Sequence, residues 1–220
     1  MCFLFFTSVL AQKEKDSTFM KLHLKFDGQT LVLNKTYLSK KSDTLEINVL
    51  KFYISDIEIR YDDDSTFKPK KKYHLVDLDN SKTHQIALNA KADIRITQLS
   101  FAIGVDSTAS VSGALADDLD ATNGMYWAWQ SGFINMKIEG KSNSCKTRKN
   151  QFHFHIGGYK KPFVTSRRVT LYLKNQNLDV VFELGELFAQ VSLSEIHSIM
   201  IPNKKAVEFA DIISQLFRSE

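Results

Sequence analysis

Along most of the chain, apolar and polar residues alternate with a period of two, the pattern of half-buried strands. In residues 20–26, Leu22, Leu24 and Phe26 fall on one face and Lys21, His23 and Lys25 on the other. Runs at 30–38, 45–61, 73–78, 85–88 and 94–103 are likewise rich in β-branched and aromatic residues. Within 45–61 the phase shifts: Leu45, Ile47 and Val49 give way to Leu50, Phe52 and Ile54, which predicts a bulge near Val49. Residues 125–138 read as a strand interrupted at Ser131-Gly132, and 152–156, 169–173 and 178–184 complete the set. The period changes at the end, where Ala206, Phe209, Ala210, Ile213, Leu216 and Phe217 predict an amphipathic helix over 204–217, entered at Pro202-Asn203. A second, short helix is predicted over 186–190.

Between these runs, residues 104–124 are rich in Asp, Ser, Ala, Thr and Gly and read as one long loop. Loops beyond about 12–15 residues in compact domains are usually functional or disordered. The predicted fold is mainly β: an antiparallel β-sandwich, immunoglobulin-like, with a C-terminal amphipathic helix, forming one domain over 12–220.

Composition narrows the function. Of 220 residues, 43% are apolar and 25% charged, which excludes a disordered chain. Nine glycines and three prolines exclude a collagen or a proline-rich stalk. The net charge of +4 lacks the clustered excess of a nucleic-acid binder, and Lys70-Lys71-Lys72 reads as solvated loop charge. Residues 2–10 carry no charge and are followed by Ala11-Gln12, so residues 1–11 read as a secretory signal cut after Ala11, with its positive n-region missing. That run is shorter than the roughly 20 residues a membrane-spanning helix needs. Export to the periplasm or the exterior of a bacterial cell follows. The mature chain then keeps only Cys145, read as a surface loop position that can form no internal disulfide.

No G-x-S-x-G, H-E-x-x-H, phosphate-binding glycine loop or C-x-x-C occurs, so the chain does not read as an enzyme. Two segments carry the remaining chemistry. In a strand at 125–130, Met125, Trp127 and Trp129 share one face, either as sandwich core or as part of a site. In 152–158, His153 and His155 share the face opposite Phe152, Phe154 and Ile156. Two such imidazoles lie about 7 Å apart and can approach one cation, with copper, zinc, iron and nickel all suited; a solvent-facing pair is the alternative. His23 is a third candidate, on an early strand. Asp117, Asp118 and Asp120 ahead of Asn123-Gly124 suggest a calcium loop only loosely, since the required spacing is not met.

With these segments the chain resembles the MbnP-like family of exported bacterial copper-binding proteins. The resemblance rests on Gly104-Val105-Asp106-Ser107, on Met125-Tyr126-Trp127-Ala128-Trp129-Gln130 with its flanking glycines, and on Phe154-His155-Ile156-Gly157-Gly158-Tyr159. It implies a β-sandwich that handles copper in acquisition or storage, without catalytic turnover. The same resemblance implies histidine ligands, with His155 matching the histidine before the glycine and His23 and His153 as further candidates. It also implies a tryptophan, Trp127 or Trp129, oxidised to kynurenine by a partner di-haem enzyme of the MauG type. Opening the indole releases an aromatic amine that can approach a metal, where indole N–H is only a donor. A soft neighbour such as Met125 would favour Cu(I). A metal-free extracellular binding or structural module remains the alternative.

Overall fold

Most of the alternating runs become strands in the computed structural model, which describes residues 18–220 apart from Ala92 and Ala114. The signal segment expected at 1–11 lies outside the described residues. The first half of the chain supplies β1 (Phe19–Phe26), β2 (Gln29–Thr30), β3 (Thr36–Leu38), β4 (Thr44–Tyr61), β5 (Thr66–Phe67), β6 (Tyr73–Asp77), β7 (Gln85–Ala87) and β8 (Ile96–Ile103). Helix α1 (Ser107–Ser112) precedes β9 (Ile134–Ser142), β10 (Gln151–Gly157), β11 (Arg167–Tyr172) and β12 (Asp179–Glu183). Helix α2 (Gly185–Gln190), β13 (Ser198–Ile199), α3 (Lys204–Ser214) and β14 (Phe217–Ser219) complete the chain.

Two sheets form the sandwich. The smaller runs β14-β12-β1-β2, with β7 also on β1, and the larger runs β11-β8-β4-β9-β10-β13, with β3, β5 and β6 on β4. Both are mixed, because β1 pairs parallel with β12 and β10 parallel with β13. Strand β4 is the spine: its first half pairs with β9 and its second half with β8. The bulge expected near Val49 is present as a register shift between Ile47 and Val49. A further shift between Ser55 and Glu58 surrounds Asp56, whose φ of 47° is left-handed.

The inner faces meet in the main core. Phe52 of the large sheet and Phe182 of the small one stand 5.4 Å apart by ring centroid, and Phe217 closes on both. Phe152 and Phe154 face the same core, against Phe188 of α2 and Phe209 of α3. Asn203 caps α3 by accepting from Ala206 N–H. The helix stops at Ser214, and Phe217 enters β14 rather than continuing the helical stripe. The pairing of β14 with β12 overrides the local period there.

On β4, Tyr53 points opposite to Phe52 and anchors a second, smaller apolar cluster with Val105, Ala109, Leu119, Met125, Trp127, Phe133 and Ile134. The region expected as a bare loop at 104–124 is thus a cap over the outer face of the large sheet, built from α1 and two 3-10 turns. Asp106 caps α1 through Ala109 N–H. Cys145 is not a surface residue: it is buried in the main core, which pushes its thiol up to about 11.

Candidate metal centre

Strand alternation sends Phe152 and Phe154 inward and His153 and His155 onto the outer face. Antiparallel register sets Glu139 of β9 opposite His153 and Lys137 opposite His155. The Glu139 side chain leans diagonally, so His155 Nε2 lies 2.6 Å from Glu139 Oε1, while His153 Nδ1 is 3.9 Å from the same oxygen. The imidazole rings stand 6.4 Å apart and nearly perpendicular. One donor atom from each of the three residues falls within 4.8 Å of the others. His155 is buried, whereas His153 and Glu139 are half-buried. A recess of about 420 Å³, lined by His153, His197, Arg148 and Lys149 among others, opens beside His153.

Glu139 supplies the anionic member of the cluster, with Lys137 placed opposite His155. The hydrogen bond from His155 holds the Glu139 carboxyl below its ordinary range against the opposing effect of burial, with further help from the charges of His155, Lys137 and His153. Burial lowers the Lys137 ammonium below its usual value, and Lys137 Nζ donates to the Gly124 carbonyl at 2.5 Å. The cap segment is thereby tied to the strand that carries Glu139.

The tryptophans do not sit on a continuous strand. Residues 125–134 form a tight hairpin in which Tyr126 bridges Phe133, Trp127 N–H donates to Gly132 O and Ile134 N–H donates to Met125 O. Ser131 and Gly132, at φ of 53° and 146°, make the reversal. Instead of sharing a face, Trp127 is 6% exposed and Trp129 is 64% exposed, with centroids 6.1 Å apart. The Trp127 ring lies on Gly157, where an added Cβ would come within 2.7 Å of Cζ3. Trp127 therefore packs two residues along β10 from His155. Trp129, together with an edge of Trp127, borders a cleft of about 510 Å³ with Tyr159, Phe163 and Pro202. Met125 is fully buried in the second cluster.

His23 does not join the β10 histidines, because it lies on β1 in the other sheet, grouped with Asp179 and Glu220. The aspartates of the cap do not converge as a calcium loop would require. Asp118 pairs with Lys71 and accepts from Leu75 N–H, and Asp120 accepts from the Thr122 backbone and hydroxyl. Glu139 is not legible in the sequence, since a carboxylate in an alternating strand gives no local signal until β9 and β10 are paired.

The model of the MbnP family matches residues 15–201. No curated protein sequence matches the chain. Among solved structures, MbnP from Methylosinus trichosporium superposes with a TM-score of 0.58 at 13% identity, covering 80% of this chain and 78% of that one. At that identity the likeness speaks for the fold. Among the described residues no helix is long and apolar enough to cross a membrane.

Proposed function

Because this chain belongs to the MbnP family, we propose that it is an exported copper-binding protein, acting in copper acquisition or storage without turnover of its own. One observation carries the reading: His155 Nε2, His153 Nδ1 and Glu139 Oε1 converge on the outer face of the large sheet. The donor set fits the metal. Imidazole is a good copper ligand, and two suffice for Cu(I); the Glu139 carboxylate, a harder donor, adds negative charge. His155 Nε2 and Glu139 Oε1 would hold the ion, and any proton on His155 Nε2 would have to leave for copper to bind there. Met125, expected as a soft neighbour, is buried in the same apolar cluster as Trp127.

The tryptophan to be oxidised is Trp127, because its ring rests on Gly157 beside the histidine strand. A MauG-type di-haem enzyme is the proposed partner, and the exposed Trp129 rim is the face it would meet. Bound copper would supply a redox-active centre, while the chain's own residues bind and shelter it.

The cleft beneath Trp129 favours a second reading, a metal-free module that holds a small ligand against aromatic rings. Competition titration with Cu(I) separates the two. The copper reading expects about one ion per chain and tight binding that His155→Ala abolishes. Equal affinity in both proteins would retire it.

A further inference from the structure

Three side chains from the small sheet and its C-terminal edge also converge, on the far side of the sandwich from the β10 histidines. His23 comes from β1, Asp179 from the paired strand β12, and Glu220 follows β14, its N–H donating to Asp179 O. His23 Nε2 is 3.6 Å from Asp179 Oδ1 and 3.7 Å from Glu220 Oε2. Those separations are too long for hydrogen bonds, and His23 Nε2 is shielded from solvent with no hydrogen-bond partner among the described residues. They match a shared ion instead: with bonds of about 2.0–2.2 Å, neighbouring donors of a tetrahedral metal stand about 3.4 Å apart.

The remaining carboxylate oxygens are already held. Asp179 Oδ2 accepts from Asn177 Nδ2 at 2.6 Å, and Glu220 Oε1 accepts from Lys25 Nζ at 2.8 Å. Each partner turns the free oxygen toward His23, the orienting role that outer-shell groups play around metal ligands. The ring of His23 and the Glu220 side chain are partly open to solvent, which leaves a path for the ion and for water as a fourth ligand.

We propose that His23, Asp179 and Glu220 form a second metal site, selective for a divalent cation of the zinc class and independent of the copper site. One imidazole and two carboxylates suit zinc and not Cu(I). The ion would also tie β14 to β1 and β12.

The test is calorimetric titration of ZnCl₂ into metal-stripped His155→Ala protein, so that loss of the copper reading and loss of this one are distinguishable. One zinc per chain is expected, with the His23 ring resonances shifting on addition. Adding His23→Ala should weaken binding by at least about 100-fold, and Asp179→Asn, which keeps the side-chain shape, by about 10-fold or more. Zinc binding unchanged by both substitutions, or no zinc bound to the His155→Ala protein, would overturn the proposal.

Discussion

His155 Nε2 and Glu139 Oε1 stand 2.6 Å apart, diagonally across the pairing of β10 with β9. That contact gives the buried imidazole an anionic neighbour, and under the proposed copper site Glu139 would act as a ligand or orient one. Glu139→Gln should therefore weaken copper binding by about 10–100-fold while the protein stays folded. His84, whose Nε2 lies 3.0 Å from Asp77 O in a 3-10 turn, supplies the control, and His84→Ala should leave copper affinity unchanged. Competition titration against a chelator of known affinity reads both.

Asp106 predicts an acid-sensitive cap. Burial opposes its ionisation, but hydrogen bonds from Lys72, Tyr73 and Ala109 N–H outweigh it and bring the carboxyl down to about 2. A carboxyl depressed in the folded state stabilises above its unfolded value and loses that contribution as pH falls through the folded one. About 2 kcal/mol should vanish between pH of about 4 and about 2. In urea denaturation over that range, Asp106→Asn should show a smaller acid loss by roughly that amount. An identical loss in both proteins would contradict the assignment.

Gly157 is required by close approach. A Cβ there would sit 2.6 Å from Phe133 O and 2.7 Å from Trp127 Cζ3. Gly157→Ala should cost about 1–3 kcal/mol, the usual range for overpacking. It should also shift tryptophan fluorescence, because Trp127 must move. Denaturation followed by intrinsic fluorescence measures both effects at once.

Oxidation of a tryptophan to kynurenine inserts two oxygen atoms across the indole 2,3-bond, and hydrolysis then releases the formyl carbon as formate, a net gain of about 4 Da. Protein from the native host should carry that gain on the peptide containing Trp127, with Trp129 unchanged. The recombinant chain, made without the di-haem partner, should lack it. A native protein of unmodified mass would leave both tryptophans as packing and cleft residues alone.

The periodic parts of the fold were legible in the sequence. Alternation in β1, β4 and β10 placed those strands, and the phase slip at Val49 foretold the bulge. What escaped was set by pairing at a distance. Phe217 follows the helical stripe of α3, yet β12 draws it into β14. Trp127 and Trp129 alternate as strand residues do, but Ser131 and Gly132 fold the chain back and send them to different environments. Cys145 lies among polar neighbours and is nevertheless buried, since the turn after β9 folds it under the sheet. The cluster was half visible: the spacing of His153 and His155 put two of its three side chains on one face. The third, Glu139, and the separation of His23 into its own cluster depended on which strands lie side by side.

The proposed function stands on copper lying between the β10 histidines and Glu139. Anomalous scattering at the copper edge, from crystals loaded with copper, locates the ion directly. One strong peak is expected within bonding distance, about 2.0–2.1 Å, of His155 Nε2 and His153 Nδ1. A strongest peak at any other place on the chain, or none at that position under full loading, would contradict it.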